Sequence, residues 1–315
     1  MRKNLFSTDK VKIAYLSNHF SGAIKLNYLL NEGFKVDYIV TISEKQAESN
    51  KISGYFDFTQ IAHMNKINLH IVEKFNLRSK ADIGFFNKNK FDLLLISGWQ
   101  RLVPSEILNT LKIGAIGEHG SSEYLPRGRG RSPINWTIIQ GRERFVMHIF
   151  LASTGADEGK IIDKENIIVN IFDDIYTVYT KAALASARLF LKRYREIITN
   201  TWQGLKEAKI KPTYLEKKNY RDDFLDWMQP TRELYNKVRA ITHPYPGAKS
   251  KVSNKLLLIW KVQPFDFELD DFDKKFGQVL KVFPDNSFVV KTIDGSLLIR
   301  EYDYNGRIKE GDILE

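Results

Sequence analysis

The chain has no cysteine among its 315 residues, which excludes disulfides, thiolate metal sites and cysteine nucleophiles. No apolar run reaches about 18 residues, so no membrane-spanning helix is expected. No block of about five or more basic residues occurs either, although the net charge is +10. That charge fits phosphate or nucleic-acid binding, but the lysines are dispersed, and a lysine-rich composition explains them first. The N-terminal stretch Met1–Lys10 is polar and has no secretory apolar region, so a cytoplasmic protein is expected. The apolar content of 43% supplies ample core, and the length suggests two domains.

Short apolar segments alternate with helical patterns through the first two-thirds of the chain. Strands are expected at Val11–Ser17, Phe34–Ile42, Asn68–Val72 and Ile113–Glu118. Phe91–Gly98 is a continuous apolar run ending in glycine, the mark of a strand buried on both faces. Helices are expected at Ser21–Asn31, near Phe58–Lys66 and from Pro104, and Ser43–Ser53 reads as a polar loop. Ser132-Pro133 is read as an N-cap and first-turn proline opening a helix to Gly141. Arg144–Ser153 and Ile161–Asn170 extend the sheet, and a helix over Asp173–Thr199 closes the domain. The pattern implies βαβ units and a mostly parallel, Rossmann-like sheet over residues 1–202. Residues 203–229 read as a linker. Residues 230–315 hold a helix from Thr231 and then short strands with tight turns, at Lys255–Trp260, Gly277–Val282, Ser287–Thr292 and Ser296–Tyr302. They suggest a small OB-like β-barrel.

One stretch carries chemistry. His119 leaves a buried strand into a loop rich in Gly, Ser and Pro, and Asp157 arrives from the next loop, before Gly159. A histidine beside a carboxylate is the minimum needed to hold one ring tautomer and support a charged imidazolium during proton transfer. No grouping of His, Asp and Glu has metal-ligand spacing, so no metal is expected.

Further motifs resemble the folate-dependent formyltransferases. They are Ser97-Gly98-Trp99-Gln100-Arg101-Leu102-Val103-Pro104, His119-x-Ser121, the Leu125–Trp136 stretch with Arg127, Arg129 and Pro133, and Asp157-x-Gly159-x-Ile161. Arg239-Ala240-x-x-x-Pro244-Tyr245-Pro246-Gly247-Ala248 resembles the start of that family's C-terminal domain. The resemblance implies transfer of a formyl group from 10-formyltetrahydrofolate to a primary amine. It also implies a catalytic trio of Asn, His and Asp. Here His119 and Asp157 match, the Asn position is Gly117, and the loop after His119 carries two extra residues.

Glu118 is a poor substitute for the missing amide, because successive strand side chains face opposite ways. Gln100, Asn18 and Ser121 are candidates, with Gln100 favoured. Folate is expected beside Gln100–Pro104 and the Ser153–Asp157 loop, beyond the carboxyl ends of the strands. Trp99 or Leu102 would give the apolar wall, and Arg101, Val103, Pro104, Ser153 and Gly155 would complete the contacts. Arg127 and Arg129 are candidates for phosphate, and Asn18, His19 and Ser121 for the acceptor.

The favoured acceptor is a small-molecule amine, an amino sugar on a nucleotide. Methionyl-tRNA is the second reading, and a non-catalytic folate- or nucleotide-binding relative the third. Against tRNA, Ser43–Gly54 carries Lys45 and Lys51 but also Glu44 and Glu48, which is no clamp for a phosphate backbone. A homodimer is left open.

Overall fold

The computed structural model describes residues 11–206, 209–218, 223–267 and 273–315. The polar N-terminal stretch and parts of the 203–229 segment lie outside them. The chain divides into two compact units. One takes residues up to Gly130, Phe145–Ile167 and Tyr179–Tyr214; the other takes Arg131–Arg144, Ile168–Val178 and Leu215–Glu315.

In chain order the elements begin with β1 (Ile13–Leu16), α1 (Phe20–Asn31), β2 (Tyr38–Thr41), α2 (Glu44–Ser49), α3 (Thr59–Asn65), β3 (Asn68–Ile71), α4 (Lys80–Asn89), β4 (Leu93–Ile96) and α5 (Ser105–Leu108). They continue with β5 (Gly114–Ser121), β6 (Arg129–Gly130), α6 (Pro133–Ile139), β7 (Arg144–Leu151), β8 (Lys160–Ile168), α7 (Ile175–Ile198) and β9 (Tyr214–Leu215). Seven strands form one sheet in the order β3-β2-β1-β4-β5-β7-β8. Pairing is parallel from β3 to β5, and β7 runs antiparallel to β5. The Rossmann-like expectation therefore holds. β1 and β4 sit at the centre; Ile13, Ala14, Leu16 and Leu93–Leu95 are fully buried, and Ile96 at the end of β4 is half-buried. An unbroken apolar run suits a strand covered on both faces.

The sequence reading departs from the structure in several places. The expected polar loop at Ser43–Ser53 contains α2, opened by a capping box in which Ser43 and Gln46 satisfy each other's backbone N–H groups. Helix α4 was not anticipated; its Ser79 cap bonds to Asp82 N. Ser132 is not a side-chain cap. It has φ 55°, and its hydroxyl instead accepts from Lys218 N at 3.2 Å. Pro133 does occupy the first helical turn.

In the second unit α8 (Thr231–Ile241) precedes β10 (Ala248–Val252), β11 (Lys255–Pro264), β12 (Val279–Val282), β13 (Phe288–Thr292) and β14 (Gly295–Tyr304). These strands form an antiparallel sheet in the order β10-β11-β14-β13-β12. The chain's last residues close it. Glu315 exchanges backbone bonds with Lys251 beside β10 at 2.8 and 2.9 Å, and Leu314 N and Val279 N bond Gly277 O and Asp312 O at 2.8 Å each. Both sheet edges are thereby covered, which is how a small barrel removes exposed edges. Part of the segment expected as a linker is packed in this unit. Leu225 and Trp227 are buried, and Trp227 donates to Ser250 Oγ at 3.1 Å.

Candidate active site

Strand β5 carries Gly117, Glu118 and His119, and its alternation points neighbours to opposite faces. On one face Gly117 pairs with Phe150 and His119 with His148, both on β7. On the other face lies Glu118. It accepts from Lys25 Nζ and Ser97 Oγ at 2.6 Å each and also from Ser186 Oγ. Lys25 is 1% exposed and donates to Ser186 Oγ at 2.8 Å as well. This buried cluster ties α1, β4, β5 and α7 together, and sequence reading missed it. Its members are spread from residue 25 to residue 186, and no local pattern links them.

The His119 ring is held on both sides. Nδ1 lies 3.4 Å from Asp157 Oδ2, and Nε2 lies 2.8 Å from the Gly128 carbonyl. The Gly128 carbonyl can only accept, so Nε2 is the nitrogen that donates to it, and Nδ1 faces the carboxylate. Asp157 is set by its own loop. Its φ is 56°, a left-handed conformation that Asp tolerates, and Oδ2 also accepts from Gly130 N at 3.2 Å. A histidine between a carboxylate and a polar oxygen can take a proton and support the resulting charge.

Position 117, where the resemblance implies an Asn, is closed. A Cβ built on Gly117 would lie 2.7 Å from the Phe150 ring, which is buried. Phe150 thus fills the space an amide side chain would use, and glycine at 117 follows from that packing.

The second cluster lies at the ends of β1 and β4. Asn18 Nδ2 donates to Gln100 Oε1 at 3.1 Å. Trp99 packs edge-on against Phe75, with ring centroids 4.9 Å apart, and Arg101 lies 4.5 Å over the same Phe75 ring. Leu102 is 50% exposed, while Val103 and Pro104 are buried at the start of α5. Two buried polar atoms here have no protein partner, Trp99 Nε1 and Asn18 Oδ1. Such atoms are rare in folded proteins and mark places where a ligand or water completes the bonding. Gly98 has φ 65°, and a Cβ there would lie 2.9 Å from His19 Cβ, so the turn needs glycine. The register Leu95↔Ile116 and the Ser97–Glu118 bond bring this loop and His119 out of neighbouring strands at one carboxyl edge.

The other expected site residues divide into open and spent groups. Ser153 and Arg127 are exposed, and Gly155 is half-buried against Glu158. Ser121 is spent on the loop: its hydroxyl donates to Glu123 O at 2.8 Å and accepts from Glu123 N at 3.1 Å. Arg129 is 7% exposed and lies 3.8 Å from Glu158 Oε1. His19 is no surface group. It is 3% exposed, its Nδ1 caps α1, and its ring lies against Phe20 and Tyr179. Burial pushes its pKa down to about 3, so it stays neutral. Among the described residues no group of three or more metal-ligating side chains occurs, and no helix is long and apolar enough to cross a membrane.

The mostly parallel sheet, with a histidine and a carboxylate 3.4 Å apart at its carboxyl edge, is of the Rossmann-like α/β class. The chain belongs to the formyl transferase family: the formyl transferase model matches residues 11–193, and the formyl transferase C-terminal domain matches residues 217–310. It is 28% identical over 305 residues to a methionyl-tRNA formyltransferase from Halothermothrix orenii, covering 92% of this chain and 95% of that protein. It is also 28% identical to the bifunctional polymyxin resistance protein ArnA of Wigglesworthia glossinidia brevipalpis, over 80% of this chain but only 38% of the longer relative. Among solved structures it resembles the N-formyltransferase from Helicobacter canadensis in complex with folinic acid and dTDP-3-aminofucose, with 18% identity and a TM-score of 0.61 over 93% of this chain and 100% of that one.

Proposed function

We propose that this enzyme transfers the formyl group of 10-formyltetrahydrofolate to the primary amine of an amino sugar carried on a nucleotide. The amine nitrogen attacks the formyl carbon and forms the new C–N bond. The carbonyl oxygen becomes an oxyanion, and the attacking nitrogen must lose a proton. His119, oriented by Asp157, handles charge and proton at that centre, and the proton ends on the folate nitrogen as its C–N bond breaks. With residue 117 closed by Phe150, the neutral donor to the oxyanion is assigned to Gln100. Folate lies beside Gln100–Pro104 and Ser153–Asp157, with the half-buried Trp99 as wall. The exposed Arg127 is placed to meet a phosphate.

The choice of acceptor rests on charge. Residues 215–315 contain 17 Lys/Arg and 17 Asp/Glu, so the whole excess of +10 belongs to residues 1–214. A C-terminal region without net charge is a poor platform for a nucleic-acid backbone, whose binding scales with the phosphates neutralised. The alternative acceptor, methionyl-tRNA, is favoured by the near full-length similarity to the Halothermothrix orenii enzyme.

A competition assay separates the two. With 10-formyltetrahydrofolate supplied, a dTDP-linked amino sugar and methionyl-tRNA are offered together, and products are read by mass spectrometry. The sugar is expected to be formylated. His119→Asn should lower turnover at least about 100-fold with folinic acid binding kept. Formylation of the tRNA alone would reverse the assignment.

A further inference from the structure

We infer that Asn18 is a positioning residue that fixes which end of the Gln100 amide faces the reaction centre. The inference rests on the formyl-transfer reading and names a part of its machinery that the family motifs do not contain.

The argument starts from the hydrogen-bond inventory of two amides. A glutamine side chain has a donor end and an acceptor end, and only the donor end can stabilise an oxyanion. Asn18 Nδ2 donates to Gln100 Oε1 at 3.1 Å. That contact engages the acceptor end, so the donor end, Nε2, is the one left for an oxyanion. Gln100 is exposed and cannot be oriented by packing. Asn18 is 0% exposed, and its backbone is anchored. Asn18 O accepts from Phe56 N at 3.1 Å, and the next residue, His19, bridges to Tyr55 and caps α1. A fixed amide thus orients a free one.

The second observation is the unpartnered Asn18 Oδ1. Leaving a buried acceptor unpaired is a cost that a residue serving only stability has no reason to carry. Such local disagreements between packing and polarity are expected where function sets the side chain. His19, expected to touch the acceptor, instead caps α1 directly after Asn18, its Nδ1 accepting from Ser21 N.

The test uses the full chain, 10-formyltetrahydrofolate and a dTDP-linked amino sugar, with folinic acid affinity measured separately. Gln100→Glu keeps an oxygen for Asn18 Nδ2 but puts a second oxygen where the donor stood. Its kcat should fall about 100-fold at neutral pH, with folinic acid affinity within about threefold. Its turnover relative to wild type should recover as pH falls and the new carboxyl regains a proton to donate. Asn18→Ala should lower kcat about tenfold and change nothing further in a Gln100→Ala background, because the two side chains act as one unit. Equal losses from Asn18→Ala in both backgrounds would overturn the inference, as would a Gln100→Glu profile parallel to wild type. A wild-type chain that binds folinic acid but formylates neither acceptor would instead refute the parent reading.

Discussion

The two faces of β5 differ in how their polar groups are used. Behind the strand, Glu118 is surrounded by Lys25, Ser97 and Ser186, and each of these partners is almost fully buried. On the front, His119 has one carboxylate at 3.4 Å and one carbonyl at 2.8 Å, and Gly117 beside it faces the Phe150 ring. The adjacent β1 and β4 loop even leaves Asn18 Oδ1 and Trp99 Nε1 unpaired. One face is complete without a ligand and the other is not. The complete face should therefore report on stability and the incomplete face on turnover. Adjacent residues of one strand separate the two because alternation sends them opposite ways.

The largest effect expected on the closed face is that of Lys25→Met. Removing one member of a buried, hydrogen-bonded ion pair leaves the other charge unpaired, at about 3–5 kcal/mol. Thermal melting should show a large drop in Tm. A double variant, Lys25→Met with Glu118→Gln, should recover much of it, because no charge is then left alone. If the double variant melted lower still than the single one, Glu118 would not depend on Lys25, and the closed-face description would break.

A smaller effect is expected on the open face, where Gly117→Asn would restore the residue type of the family trio. The added Cβ meets the Phe150 ring at 2.7 Å, so the substitution should cost about 1–3 kcal/mol through overpacking. Combined with Phe150→Ala, the two changes should be non-additive, the pair losing less stability than the separate losses predict. Strict additivity in melting experiments would mean that Phe150 does not hold position 117 closed.

The sequence made the parallel sheet legible because β1 and β4 are buried on both faces, so their apolar runs are unbroken. The meeting of His119 and Asp157 was legible through motif order, although His119 lies within β5, paired with His148, and not in the loop expected after Glu118. Three things were not. Glu118 could be turned away from His119 by alternation alone, but Lys25 and Ser186 are 93 and 68 positions distant and meet it only in three dimensions. Phe150 explains the glycine at 117, yet it belongs to a strand whose register against β5 no local pattern specifies. His19 read as a candidate to meet the acceptor because its cover comes from Tyr179 and the Gly54–Tyr55 segment, both remote in sequence. Each failure concerns a contact across elements, and periodicity carries no information about those.

The smallest expected effect is on the pH dependence of stability, and it tests whether the buried histidines flanking the site belong to the framework. Burial lowers the pKa of His19 to about 3 and that of His148, opposite His119 on β7, to about 4. Both values lie below the ordinary histidine value of about 6.5, so at intermediate pH the unfolded chain binds more protons than the folded one. Stability then falls as pH falls below about 6.5, and the loss continues down to the folded values. Between pH 7.5 and 5.5 the Tm should drop by about 2–6 °C, given the size of the unit. His19→Asn retains a good helix cap but cannot titrate, so its drop over the same range should be smaller. The two histidines do not titrate in the folded state above about pH 5, so neither should shape the pH profile of turnover in that range. An equal Tm drop in His19→Asn and wild type would place the acid sensitivity elsewhere, and a turnover profile altered by His19→Asn near neutral pH would move His19 from the framework into the reacting face.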